Sequence, residues 1–510
     1  MILDDLDRLA QERPGELAVA EVGADGAVRE LTWGELKRES DRVAVALAAL
    51  GVEHAENVAF QLPNRVEFVT TALGTLRVGA VCEPLMPIFR ERELTFMLGE
   101  SQARVLFVPD QFRGRDHATM AAALREALPE LEHVVVLPDG YHELLDGAPG
   151  GSEALVAIEP EEIAQLLFTS GTSGEPKGAL HRYGVLTRAA DHHIRHFGLG
   201  ADDVVYVPSP LAHQTGFLYG MWIAIRLGVP QVLQEVWDAE IALDAMRRFG
   251  VTFVQAATPF LADLTRVAEE RGEASEQLRT FVATGAAIPR ELARRSREIL
   301  GAEVGGAWGT TESCLGCAFA PGDPPELAWG SDGRALANVS LRVVDDQGRS
   351  LSAGEEGNFE VHTDCLFKGY LNRPELTAEA VTHDGWYRTG DLARIDARGY
   401  VRITGRVKDV INRGGEKVPV AEIEQLLHAH PAVDDVAIVA MPDERLGERA
   451  CAFVVGELDF DTMLEYLDCH RVSKTYWPER LELVGSLPRT PSGKIQKFVL
   501  RAQARELVTT

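Results

Sequence analysis
A chain of 510 residues is too long for one ordinary hydrophobic core, so two or more domains are expected. Its 45% hydrophobic and 25% charged residues are those of a globular protein. A formal net charge of −27 argues against a general binder of nucleic acid or of anionic membrane. An acidic chain that takes an anionic ligand must supply positive charge locally, so single Lys and Arg residues in Gly-rich loops become informative. The start, Met1-Ile2-Leu3-Asp4-Asp5, lacks the basic start and apolar core of a signal peptide. The longest apolar stretch, around residues 217–229, is interrupted by Arg226 and is too short to span a bilayer. Six scattered cysteines (Cys82, Cys314, Cys317, Cys365, Cys451, Cys469) suggest reduced thiols and a cytoplasmic protein. Cys314 and Cys317 form a C-x-x-C, but without a second ligand pair or a His cluster packing is preferred to zinc.

Taken in order, residues 31–110 alternate helical and extended patterns. Thr32 with Glu35 three positions later has capping-box spacing, and Val43, Ala46, Leu47 and Leu50 continue one helical face until Gly51. Strands are predicted at 57–62, 80–85, 104–108 and 133–137, with a helix at 67–78. Strands alternating with helices imply parallel sheets covered by helices. Residues 139–153, rich in Gly, Pro and Asp, read as a surface loop.

An apolar strand at 163–168 then runs into Thr169-Ser170-Gly171-Thr172-Ser173-Gly174-Glu175-Pro176-Lys177-Gly178. Glycines let the backbone approach closely, N–H groups and hydroxyls donate to phosphate oxygens, and a lysine adds charge, so the stretch suits a polyphosphate. It lacks the Gly-Lys-Ser/Thr spacing of a Walker A loop. Further strands at 204–207, 252–257, 280–284 and from 303 end in loops bearing His213, Gly285 and Trp308-Gly309-Thr310-Thr311-Glu312. Such ends suit a ligand crevice at the carboxyl edge of a sheet. From 336 the pattern becomes antiparallel β-structure, and beyond 405 a small α+β region of about a hundred residues closes the chain.

The ordered motifs Thr169–Gly178, Trp308–Glu312, Tyr387-Arg-Thr-Gly-Asp391, Gly405-Arg406-Val-Lys408-Asp409 and Pro488-Arg-Thr-Pro-Ser-Gly-Lys494 together resemble the adenylate-forming superfamily. That superfamily includes acyl- and aryl-CoA ligases, nonribosomal adenylation domains and luciferase, and the likeness spans essentially the whole chain. It implies a large N-terminal AMP-binding domain (1–405) of parallel sheets flanked by helices, with a small β-barrel-like subdomain. A small mobile α+β C-terminal domain (406–510) would turn on a hinge near Lys408. It further implies that Thr169, Ser170, Thr172, Ser173 and Lys177 cradle the β- and γ-phosphates of ATP, with Gly171 and Gly174 shaping the loop. Gly285, Ala286 and Ala287 would line the adenine, with Trp308 on its face where the family usually carries Tyr. Gly309 and Thr310 belong to the same motif, Thr311 would contact the α-phosphate, and Glu312 would hold Mg²⁺. Asp391 would accept from the ribose hydroxyls, with Arg406 beside it.

The implied reaction is ATP-dependent conversion of a carboxylic acid to an acyl-adenylate, followed by transfer to the thiol of CoA. Lys494 would serve the first step, with His213, Glu312 and Thr311 as the other catalytic residues. Gly414 and Gly415 would face the pantetheine arm of CoA in the second step. Gln214, where amino-acid-activating relatives carry Asp, suits an aryl, alicyclic or medium-chain acid, with Phe217, Thr310, Leu315 and Gly333 as pocket neighbours. The local strings are most similar to cyclohexanecarboxylate-type and medium-chain acyl-CoA ligases. The connection between Val455 and Asp461 is shorter than usual, so a carrier protein or a nitrogen nucleophile (amine or nitrite) stays open as acceptor. A homodimer is also left open. A non-catalytic nucleotide-binding module would need neither Glu312 nor Lys494, and both are present.

Overall fold
The computed structural model describes residues 1–148, 155–156, 158–169, 176–285, 288–414, 416–489 and 495–507. Two mainly parallel sheets carry the N-terminal part. The larger orders its strands Arg334–Ala335, Cys314–Ala318, Glu303–Thr310, Thr280–Thr284, Phe253–Ala257, Val205–Val207, Gln231–Gln234, Leu17–Val22 and Val28–Thr32. The second runs Gly369–Tyr370, Lys177–Arg182, Ile163–Thr169, Val81–Pro84, Asn57–Phe60, Val105–Pro109 and His133–Leu137. Their central pairs are parallel and both outer ends of the larger sheet are antiparallel.

Strand order decides where a ligand can enter. Val205–Val207 lies between Gln231–Gln234 and Phe253–Ala257, so the chain leaves it in one direction and returns on its other side. Loops that diverge at such a reversal open a crevice beyond the carboxyl ends of the strands. The second sheet reverses in the same way around Asn57–Phe60. Just after that strand, Asn64 donates to the carbonyls of Val207 (3.1 Å) and Ser209 (2.9 Å) and accepts from Leu211 N–H (2.8 Å). Its amide thus spends one acceptor and both donors on the loop leaving the other sheet's reversal, locking the two crevices together.

The expected capping box is present: Thr32 accepts from Glu35 N–H, and the Glu35 carboxylate takes Thr32 N–H at 2.9 Å. The core between the sheets includes Phe60, Phe68, Phe217, Trp222 and Tyr183, several meeting edge to face, as aromatic quadrupoles prefer. The apolar stretch after Gly216 is helical, opening as a π-helix over Phe217–Trp222 before an α-turn at Ile223–Leu227.

One expectation needs correction. Residues 139–153 were read as a loop, but Asp139–Gly147 is an α-helix. Tyr141 and Leu145, four apart, bury on one face, and Tyr141 shares a 2.6 Å hydroxyl contact with Thr70, so two anchors outweigh the polar composition. Gly333, expected beside the acyl pocket, is closely packed by backbone. Its φ is +87°, and a Cβ there would lie 1.8 Å from the Ala318 carbonyl carbon.

The antiparallel region is a four-stranded sheet of Val339–Val344, Gly357–Thr363, Tyr387–Ile395 and Val401–Arg406. From Ile411 the chain joins a separate five-stranded sheet covered by Val420–His428, Phe460–Cys469 and Lys497–Glu506. Its two apolar clusters draw only on residues from Ile411 onward, which makes this a small domain with its own core. The change of sheet falls within residues 407–410, which include Lys408.

One buried acid shapes pH behaviour. Burial pushes the Glu83 carboxyl from 4.5 up to about 8, against a weaker pull from the Ser101 hydroxyl. A raised carboxyl pKa destabilises the native state progressively as pH climbs from the unfolded value of about 4.5 toward 8. Glu83→Gln is therefore expected to raise the thermal midpoint more at pH 8 than at pH 5. An equal gain at both would refute a neutral native Glu83.

Candidate active site
The two N-terminal sheets and the four-stranded antiparallel sheet bring together residues from four of the five sequence motifs. Glu303–Thr310 delivers Trp308, Thr310 and the turn beyond it. Thr310 Oγ1 accepts from Ser313 N–H at 3.1 Å and meets Ser313 Oγ at 3.0 Å, so this hydroxyl shapes the turn that presents Thr311 and Glu312. Gly309 lies against the Cys314 carbonyl, where a Cβ would come within 2.4 Å.

Asp391, 3% exposed, accepts from the Trp308 indole N–H at 2.9 Å and pairs with Arg406 Nε at 3.0 Å. Asp391 and Arg406 are register partners across neighbouring strands, so the sheet itself sets the ion pair. The substitution of Trp for the family's Tyr thus has a consequence beyond aromatic surface, because the indole brings a donor that ties the expected adenine plate to the expected ribose acceptor. A carboxylate has about four lone-pair sites, so capacity remains for ribose hydroxyls. Phe359 meets the indole edge to face at 4.8 Å.

On the phosphate side, Thr169 and Lys177 are register partners at the mouth of the Gly-rich stretch. Glu312 is 8% exposed, and its Oε1 accepts the Tyr370 hydroxyl at 2.7 Å. Lys177 Nζ stands 5.1 Å from the centroid of the Tyr370 ring. His181, wholly buried on the same strand as Lys177, is held neutral, burial pushing its pKa down to about 4.

At the acid end, His213 caps the helical turn that follows the switch loop, its Nδ1 accepting from Thr215 N–H at 3.2 Å. Gln214, 3% exposed, has no hydrogen-bond partner for either amide atom among the described residues. Phe217 is fully buried against Phe68 and Trp222, inside the core. Gly285 ends its strand with φ +83°, and Gly414 donates to the Leu446 carbonyl at 2.8 Å. Lys408 has its pKa held down by partial burial first and then by Arg406 and Arg501, while Arg501 also pairs with Asp409. Ser170, Gly171, Thr172, Ser173, Gly174, Ala286, Ala287, Gly415 and Lys494 lie outside the described residues.

A family described as "AMP-binding enzyme" matches residues 6–371, and "AMP-binding enzyme C-terminal domain" matches residues 422–494. The chain belongs to the AMP-binding enzyme family. This AMP-binding enzyme is 35% identical to a medium-chain fatty-acid–CoA ligase of Escherichia coli (strain K12) over 100% of its own length and 91% of the relative's. It is 34% identical to a salicyl-AMP ligase / salicyl-S-ArCP synthetase of Mycobacterium tuberculosis (strain ATCC 25618 / H37Rv), over 98% and 90% of the two chains. Among solved structures, an anthranilate CoA ligase in complex with anthranoyl-AMP superposes with a TM-score of 0.91 at 27% identity, covering 100% and 98% of the two chains.

Two site residues of the AMP-binding enzyme carried no signal in its sequence. Tyr370 follows an unremarkable glycine, and Asn64 sits in a Pro-Asn turn; only tertiary contacts give them their positions. Elsewhere, the ligand atoms of His192, Asp364 and Cys365 lie within 4.8 Å of one another. Arg195 donates to His192 Nδ1 at 2.7 Å, and Arg188 stands 3.8 Å from Asp364, so these groups belong to an ion-pair network rather than a metal site. Among the described residues no helix is long and apolar enough to cross a membrane.

Proposed function
We propose that this chain activates an aryl, alicyclic or medium-chain carboxylic acid with ATP to an acyl-adenylate and then transfers the acyl group to the thiol of CoA. The observation that carries the reading is the bond from Trp308 to Asp391. It joins an aromatic plate to a buried ribose-type acceptor across 83 residues.

A carboxylate is a poor acyl donor because its leaving group would be oxide. Attack of a carboxylate oxygen on the α-phosphorus breaks the bond to the bridging oxygen of pyrophosphate and creates AMP as a good leaving group. The thiol then loses its proton, its sulfur attacks the acyl carbonyl, and AMP departs. Protein groups contribute alignment and charge stabilisation. Asp391 and Trp308 hold the nucleoside, Lys177 and Thr169 anchor the outgoing phosphates, and Thr311 reaches the α-phosphate. His213 and Gln214 border the acid, where a neutral amide offers no counter-charge for an α-ammonium group.

Glu312 fits Mg²⁺, since its buried carboxylate spends one oxygen on the Tyr370 hydroxyl and keeps acceptor capacity to spare, the oxygen donor a hard cation takes. Bound there, the cation would neutralise charge on the phosphate oxygens. Lys408 would serve as the hinge that exchanges Lys494 for the face bearing Gly414 and Gly415.

The test is pyrophosphate release over a panel of carboxylic acids, each with and without CoA. Acid-dependent release with acyl-CoA as product is expected. Release that yields product only with a carrier protein or an amine would move the acceptor, and no acid-dependent release at all would overturn the reading.

A further inference from the structure
We propose that Tyr370 is a positioning residue that holds the Glu312 carboxylate and the Lys177 ammonium in one frame, so that cation and phosphate are received together. The inference rests on the adenylation reading of Glu312 and Lys177 but adds a residue from outside those motifs.

The geometry is specific. Tyr370 is 8% exposed and donates to Glu312 Oε1 at 2.7 Å, while its ring face carries Lys177 Nζ at 5.1 Å. One side chain therefore uses its hydroxyl on an anion and its π-face on a cation, two contacts that different atoms supply independently. Tyr370 is itself fixed from several sides. Its strand pairs with the strand carrying Lys177, with Tyr370 opposite Ala179 and Gly369 opposite Leu180. Leu371 N–H donates to the Gly178 carbonyl at 2.8 Å, and Tyr370 N–H donates to Thr377 Oγ1 at 2.9 Å. Phe367 packs on the ring edge to face at 4.8 Å, and its N–H donates to the Glu312 carbonyl at 2.7 Å. The Glu312 backbone and side chain are thus both tied to the segment 367–370.

A carboxylate held this way meets a cation without first losing rotamer freedom. Outer partners of metal-binding groups typically account for about ten- to a hundredfold in metal affinity.

The experiment titrates ATP into wild type and Tyr370→Phe by calorimetry, with Mg²⁺ and with a chelator, alongside the thermal midpoint. The phenylalanine keeps the ring under Lys177 and removes only the hydroxyl. Apparent Mg²⁺ affinity is expected to fall about tenfold while Mg²⁺-free ATP binding is unchanged. Tyr370→Leu is expected to weaken Mg²⁺-free ATP binding as well, since Lys177 loses the ring. In Tyr370→Phe/Glu312→Gln the loss should equal that of Glu312→Gln alone.

Equal weakening of ATP with and without Mg²⁺, additive losses in the double variant, or a phenylalanine variant that does not fold would each assign Tyr370 to the fold alone and overturn the inference. Wild-type ATP binding that ignores Mg²⁺ would overturn it too. Because binding needs no acid, failure of the acid screen with a selective Mg²⁺ effect intact would sink the adenylation reading and leave Tyr370's role standing.

Discussion

Replacing Lys494 with alanine is expected to cut acid-dependent pyrophosphate release by about a thousandfold, while thioester formation from supplied acyl-AMP and CoA stays near wild type. The reason is electrostatic. In the first step a carboxylate approaches an α-phosphate that is itself anionic, and charge moves onto oxygens that only a cation can relieve. In the second step a thiol attacks an activated carbonyl, and AMP leaves already stabilised by the groups around the nucleoside. A lysine delivered from the small domain is therefore needed once and is dispensable afterwards. The first two residues of the Lys494 motif and the residues after it are well anchored: Arg489 and Ile495 form a bridge, Gln496 N–H donates to the Pro488 carbonyl at 2.7 Å, and the helix Lys497–Glu506 packs through Leu500 and Ala504 into the small domain's core. Assaying the two half-reactions separately decides the matter. Equal loss in both would remove Lys494 from its special place in the first.

The second large effect concerns Asp391. Asp391→Asn is expected to raise KM for ATP by about a hundredfold with little change in KM for the acid. Asparagine keeps the shape but replaces one acceptor oxygen with an N–H₂ donor, which faces either the Arg406 guanidinium or the Trp308 indole N–H. Either arrangement sets donor against donor and leaves a buried group unpaired. A stability loss of about 1–3 kcal/mol should accompany it, below the usual cost of breaking a buried pair because the Arg406 side chain is 33% exposed. Steady-state kinetics with ATP and acid varied in turn separate the two effects. A fall in thermal midpoint with unchanged KM for ATP would make the ion pair purely structural.

These predictions stand on different footing from the Tyr370 test. Lys494 and Asp391 lie in motifs that the sequence exhibits, and their types already suit the chemistry. The bond from Trp308 to Asp391 does not follow from either motif, because nothing local says that the indole N–H will point at a carboxylate 83 residues away. Substituting Trp for Tyr reads in sequence as the loss of a hydroxyl. In the fold it is the gain of a hydrogen bond.

Local signals were legible where the physics is local. Thr32 and Glu35 cap a helix through bonds that span three residues, and the apolar runs at 163–168 and 133–137 became strands, the first buried and the second half-buried at its sheet's edge. The Gly- and hydroxyl-rich stretch at residues 169–178 carries its expectation of phosphate chemistry in composition alone. The order of five motifs determined the family, and with it the reaction class.

What only the tertiary structure decided is everything that depends on distant partners. Asp139–Gly147 is a helix because Tyr141 and Leu145 find an apolar surface, including Thr70 and Phe107, that its own polar sequence does not advertise. Gly333 must be glycine because the Ala318 backbone occupies the space of a Cβ. Asn64 reaches loops 143 to 147 residues away, and Tyr370 meets Glu312 across 58. Sequence patterns report a residue's type and its near neighbours, whereas such contacts exist only after two sheets have packed and their strand-order reversals have faced one another. The sequence alone thus named the chemistry of this protein, and the packing of its sheets chose which side chains hold that chemistry in place.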